Sequence, residues 1–234
     1  MTSTPSPKIT LYTYFRSSCS ARLRIALALK SLPYTSIHIN LLKSDQTGPE
    51  NKAVNPSATV PTLILEFPDT EPGSAPKIIT ITQSLAALEY LEETFPAQGA
   101  FLLPPNSNPG ARAIVRTLSS IISCDVQPVT NLRILKRVAA FGVDRVAWSK
   151  DLIEDGFAAY EEIAKGSAGI FSVGDTISMA DVCLIPAVWG AERVGVDLAK
   201  FPTIKRVAEA LEREAAVREG HWTKQADTPD EFRS

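Results

Sequence analysis

Proline placement constrains this chain more than any other feature. Thirteen of its 17 prolines precede residue 110, and none falls between Val129 and Ile185. Proline breaks helix interiors and is confined to the edges or first positions of strands. The two halves therefore follow different local rules: short strands and turns first, long helices afterwards. Two runs, Phe95-Pro96-Ala97-Gln98-Gly99-Ala100 and the stretch from Leu102 to Gly110 with Pro104, Pro105 and Pro109, gather residues that continue neither structure. The expected organisation is residues 1–94 as one domain, 95–110 as a linker and 111–234 as a second domain.

Ahead of the linker, Ile9-Thr10-Leu11-Tyr12-Thr13-Tyr14 alternates as a strand does, and Ala21 to Leu32 carries apolar residues at helical spacing. Further strands are expected at Ser36–Leu41, Thr62–Phe67 and Lys77–Ile81, with a helix at Ser84–Thr94 and an exposed polar loop at Pro68–Pro76. The order is βαβ, then ββα. A crossover gives a parallel pair and a hairpin an antiparallel one, so the sheet is mixed. The fold class is an α/β thioredoxin-like N-terminal domain with a mixed four-stranded sheet, followed by an all-α C-terminal domain. Its helices are expected at Ala111–Ile122, Val126–Phe141, Val143–Ala164, Met179–Trp189 and Ile204–Val217. Ser178-Met179-Ala180-Asp181 reads as a capping box, with Asp181 structural and not catalytic.

Composition removes several function classes. With 24 basic and 26 acidic residues the formal charge is −2, and no Lys/Arg run suits a phosphate backbone or an anionic lipid surface. Neither nucleic acid nor membrane is an expected partner. Three cysteines and two histidines seed neither a disulfide framework nor a zinc site, so no metal is expected. Cys124 and Cys183 sit in apolar helical runs and are expected to be buried. The start from Met1 to Lys8 lacks a secretory layout and the ending Phe232-Arg233-Ser234 is not a peroxisomal signal, which makes the cytoplasm the expected compartment.

Phe15-Arg16-Ser17-Ser18-Cys19-Ser20-Ala21-Arg22 lies between the first strand and its helix, where free backbone N–H groups and the helix dipole favour an anion. A thiol bound there would be shifted toward thiolate. A serine-rich cap with no ligand is the plainer alternative. Val60-Pro61 opens a strand at the usual place for a cis peptide and would present the Val60 backbone to an extended ligand; a turn proline is the alternative. Gln83-Ser84 opens a helix whose amides and hydroxyl would hold a carboxylate, or simply cap it. A thiol site, an extended-backbone site and a carboxylate site together describe a short thiol peptide, which glutathione fits.

The same segments carry a family resemblance. The chain resembles the zeta-class glutathione transferases, the maleylacetoacetate isomerases, through Tyr14-Phe15-Arg16-Ser17-Ser18-Cys19-Ser20, Asn55-Pro56, Val60-Pro61-Thr62-Leu63, Gln83-Ser84-Leu85 and Glu89-Tyr90-Leu91-Glu92-Glu93. In the second half the resemblance continues through Gln127-Pro128, Asn131-Leu132, Met179-Ala180-Asp181, Ala191-Glu192-Arg193 and Asp227-Thr228-Pro229. It implies glutathione as cofactor, with Ser17 donating to its thiolate and Ser18, Cys19, Ser20 and Arg22 beside it. It gives Val60 the cysteinyl backbone and Gln83 and Ser84 the γ-glutamyl end. Gln46, Gln127, Asn131, Leu132 and Arg133 are further cofactor contacts, and Arg193 faces a small acidic electrophile.

The implied activity is glutathione-dependent conversion of maleylacetoacetate to fumarylacetoacetate, in phenylalanine and tyrosine breakdown, by a homodimer. A transferase or α-haloacid dehalogenase side activity would use the same thiolate. The competing readings are an omega-like thiol reductase with Cys19 as nucleophile and a non-enzymatic binding protein on the same fold. Three positions depart from the family pattern: Ala21 replaces the usual Trp, the segment Ser44–Ala53 is about two residues short, and the loop at Pro68–Pro76 is long.

Overall fold

A computed structural model describes residues 6–68 and 75–233. The first elements are β1 (Lys8–Thr13), α1 (Ser18–Leu29), β2 (Thr35–His38), α2 (Pro49–Val54), β3 (Thr62–Phe67), β4 (Lys77–Ile81) and α3 (Ser84–Thr94). The four strands lie in the order β2-β1-β3-β4. β1 runs parallel to β2 with Leu11 opposite Ser36, and antiparallel to β3 with Leu11 opposite Leu63; β3 and β4 form the hairpin. This is the expected mixed sheet. Alternation along β1 and β3 buries Ile9, Leu11, Leu63 and Leu65, and Leu23 and Leu27 of α1 join Leu88 and Leu91 of α3 in the core.

α1 and α3 are tied at their far ends by an ion pair sealed from water. Lys30 Nζ lies 2.9 Å from a Glu92 carboxylate oxygen, with the Lys30 side chain fully buried, and it also donates to the Phe95 carbonyl at 3.2 Å. Gly99 is required beside this pair: its φ is +63°, and a Cβ there would lie 2.3 Å from the Leu29 carbonyl oxygen.

α1 starts earlier than expected, at Ser18, because Ser17 caps it. β2 stops at His38, where Asn40 Oδ1 accepts from the amides of Leu42 and Lys43 and turns the chain. The short α2 carries too little apolar periodicity to register in sequence. Residues 69–74 of the expected loop Pro68–Pro76 lie outside the described residues.

Two compact units emerge: residues up to Gly99 together with the tail from Glu219, and Ala100–Arg218. The expected grouping of 111–234 is thus corrected for its last residues. The tail belongs to the first unit because Arg24 Nε donates to the Gly220 carbonyl and the Phe15 amide donates to Asp227.

The second unit holds α4 (Pro109–Ser120), a π-turn at Ile121–Val126, α5 (Gln127–Thr130), α6 (Leu132–Ala139), α7 (Arg145–Ala164), α8 (Met179–Arg193) and α9 (Pro202–Leu211); α10 (Ala215–Gly220) leads into the tail. The expected break between Ile122 and Val126 is instead a widened turn, in which Gln127 N–H donates to the carbonyl of Ile122 five residues back. Pro128, with no N–H of its own, follows directly. The expected Val126–Phe141 helix divides at Asn131, whose Oδ1 accepts from Ile134 N–H and caps α6. The expected Ile204–Val217 helix divides into α9 and α10 after i→i+3 closure at Arg213 and Glu214. Cys124, expected to be buried, is exposed on the π-turn, whereas Cys183 is buried as expected. Asp181 accepts from the backbone and hydroxyl of Ser178 and from the Ser172 amide, which confirms its structural role.

Candidate active site

Residues Tyr14 to Ser17 leave β1 in a turn closed by Ser17 N–H donating to the Tyr14 carbonyl at 3.0 Å. Ser17 then caps α1, its Oγ accepting from Ser20 N–H at 3.2 Å. A hydroxyl has one proton and two lone pairs, so an oxygen that accepts from the helix still has its proton to donate. That proton, and the first-turn amides of Ser18 and Cys19, form a donor set for an anion at a partly exposed position. Cys19 is half-buried and free of any disulfide. Ser20 is fully buried, so its side chain faces the interior.

Ser84 begins α3, with exposed Gln83 at its N-cap. Arg22, 1% exposed, donates from Nη1 to Ser84 Oγ at 3.1 Å. Ser84 thereby keeps its own proton for a ligand while a buried cation stands behind it. Among the described residues, Arg22 Nε and Nη2 have no hydrogen-bond partner. Such orphaned donors suit a carboxylate at this helix start. The donor set at Ser17 has the chemistry a thiolate requires, and the cation-backed serine at α3 has the chemistry a carboxylate requires.

The Val60–Pro61 peptide is cis, and the Val60 side chain packs with Tyr14, Phe15 and Ile39. Gln46 is half-buried on the 3-10 turn Asp45–Thr47, with its Oε1 buried and without a partner among the described residues.

Three residues that sequence reasoning left without a role converge on the Tyr14–Ser17 turn. Arg24, 1% exposed, donates to Thr13 Oγ1, to the Tyr14 and Phe15 carbonyls and to the Gly220 carbonyl. Burial pulls its pKa down to about 10, which leaves it charged at neutral pH. Asp227 Oδ2 accepts from the Phe15 amide at 2.8 Å, and His38 Nε2 lies 3.7 Å from Oδ1. Asp227 and Arg24 stand 212 and 9 residues from Phe15, and no local pattern announces such a meeting. A cavity of about 480 Å³ borders this cluster, lined by Phe15, Arg16, His38, Asn40, Asp227 and Phe232 among others, and none of the serines lines it.

Within the second unit, Gln127 opens α5 and is half-buried. Asn131 has both ends of its amide engaged, Oδ1 in the α6 cap and Nδ2 on the Pro128 carbonyl at 2.8 Å. Leu132 and exposed Arg133 begin α6, and exposed Arg193 ends α8.

A thioredoxin-like sheet whose first helix starts at a serine cap, in a chain that continues into an all-helical unit, is the architecture of a glutathione transferase. Family models agree: the N-terminal domain of glutathione S-transferase matches residues 16–94 and its C-terminal domain matches residues 141–216. A maleylacetoacetate isomerase of Aspergillus fumigatus is 71% identical over 233 residues, covering 100% of this chain and 98% of that protein. The Rattus norvegicus maleylacetoacetate isomerase is 45% identical, covering 97% and 98%. A crystal structure of maleylacetoacetate isomerase from Anaeromyxobacter dehalogenans with bound glutathione superposes with a TM-score of 0.84 at 36% identity, over 96% of this chain and 99% of that one. The chain belongs to the glutathione S-transferase family and, within it, to the zeta-class maleylacetoacetate isomerases.

Proposed function

We propose that this chain catalyses the glutathione-dependent cis–trans isomerisation of maleylacetoacetate to fumarylacetoacetate. The observation that carries the reading is the Ser17 hydroxyl, which caps α1 through a lone pair and so keeps its own proton free to donate to a thiolate. Bound glutathione supplies a thiolate that adds to the conjugated double bond, frees it to rotate and leaves again, so it is not consumed. Ser17 stabilises that charge with its hydroxyl, helped by the dipole of α1; each unit by which the thiol pKa falls is about 1.4 kcal/mol of preferential thiolate binding. Ser84, backed by Arg22, holds the γ-glutamyl carboxylate, and Val60 pairs with the cysteinyl backbone. Arg193 supplies the cation that an acidic electrophile requires. Ser18, Cys19, Gln46, Gln83, Gln127, Asn131, Leu132 and Arg133 complete the proposed contacts.

The resemblance supports a homodimer working in the cytoplasm, and no described helix is long and apolar enough to cross a membrane. Light scattering at twice the chain mass checks the dimer. The activity is tested by turnover of maleylacetone, with and without glutathione, while total glutathione is followed. Isomerisation that needs glutathione and leaves its concentration constant is the expected result; isomerisation at the same rate without it would contradict the proposal.

A further inference from the structure

We infer that Asp227, in the C-terminal tail, is a positioning residue for the Ser17 hydroxyl. The inference rests on the reading of Ser17 as thiolate donor and adds to it the device that holds Ser17 in place. The turn Tyr14–Ser17 is one hydrogen bond long, and its central Phe15 peptide groups are gripped on both sides. The amide donates to Asp227 Oδ2 at 2.8 Å, while the carbonyl accepts from Arg24 Nη2 at 3.0 Å. Neither bond belongs to the sheet or to α1. The Phe15 carbonyl belongs to the central peptide of the turn and the Phe15 N–H to the peptide that enters it, so the charge-assisted bonds of Arg24 and Asp227 fix two successive peptides and with them the direction in which the chain reaches Ser17.

The tail is itself anchored. Gly220 accepts from Arg24 Nε, a Cβ on Gly220 would lie 2.5 Å from Ile25 Cγ1, and Trp222 packs against Phe15 at 6.4 Å between ring centroids. Thr228, next to Asp227, donates its hydroxyl to the Trp222 carbonyl at 2.6 Å. Asp227 thus reaches the turn from a closed loop and not from a loose end.

The test compares wild type, Asp227→Ala, Asp227→Asn, Ser17→Ala and the double variant Ser17→Ala/Asp227→Ala. The ultraviolet absorbance of bound thiolate, titrated against pH, gives the pKa of enzyme-bound glutathione, and maleylacetone turnover gives kcat and KM. Asp227→Ala is expected to raise the bound-thiol pKa by about one unit and lower kcat about tenfold, the size of one charge-assisted hydrogen bond. Asp227→Asn, which keeps an acceptor oxygen for the Phe15 amide, should recover most of the loss. The double variant should be no worse than Ser17→Ala, since both act through one hydroxyl. A lowered melting temperature with an unchanged thiol pKa in Asp227→Ala would overturn the inference while leaving Ser17 its role. An unchanged thiol pKa in Ser17→Ala would remove the Ser17 reading and this inference with it, and additive losses in the double variant would overturn the inference alone.

Discussion

At the residue scale the proposed site depends on hydroxyls that accept from the protein and so keep their protons to donate. Ser17 takes the Ser20 amide and Ser84 takes the Arg22 guanidinium, which leaves both protons for a ligand. The places of these serines at helix starts were legible in sequence because the strand-to-helix and loop-to-helix positions are local. Arg24, Asp227 and His38 were not, since their meaning arises only when the tail folds back on β1. His221 shows the same limit and carries a pH prediction. Its Nδ1 accepts from Thr223 N–H, and its pKa is lowered from 6.5 by burial first, then by Arg24 and Lys224. Well above 6.5 the ring is neutral whether folded or unfolded. As the pH falls below 6.5 the unfolded chain binds the proton first, so stability is lost from there down through the lower folded value. Melting temperatures between about pH 7.5 and 5 should therefore fall more steeply in wild type than in His221→Asn, whose side chain keeps an acceptor but does not titrate. Parallel curves would contradict the assignment.

At the element scale the strands and α3 were readable to the residue where alternation or a clear cap marked them: β3, β4 and α3 begin and end where their patterns do. Elements set by backbone bonding were less readable. The π-turn before Pro128 has no apolar signature, and the Asn131 cap sits inside an uninterrupted helical pattern. Two elements depend on buried charge. Asp181→Ala would strand the buried amides of Ser172 and Ser178, and should cost about 2–4 kcal/mol in chemical denaturation. Glu92→Ala would leave Lys30 buried without its carboxylate between α1 and α3. That loss should be about 3–5 kcal/mol. A change below about 1 kcal/mol in either would mean that the site relaxes or admits water, against the packing described.

At the scale of the whole chain, the proline gradient correctly announced two regimes of local structure but misplaced the end of the second. Residues from Glu219 onward look in sequence like a polar extension of the helical half, yet Arg24 and Phe15 claim them for the thioredoxin-like unit. The first unit is therefore discontinuous in sequence, with the proposed anion site near the start of the given sequence and the proposed brace for it in the segment from Glu219. On the proposed reading the sheet positions one serine and the segment from Glu219 keeps it there. The most direct test is the maleylacetone isomerisation rate of Ser17→Ala against wild type at saturating glutathione, with folding confirmed by circular dichroism. The account predicts a fall in kcat of at least about tenfold, equivalent to about 1.4 kcal/mol of lost thiolate stabilisation. An unchanged kcat in a folded variant would contradict it.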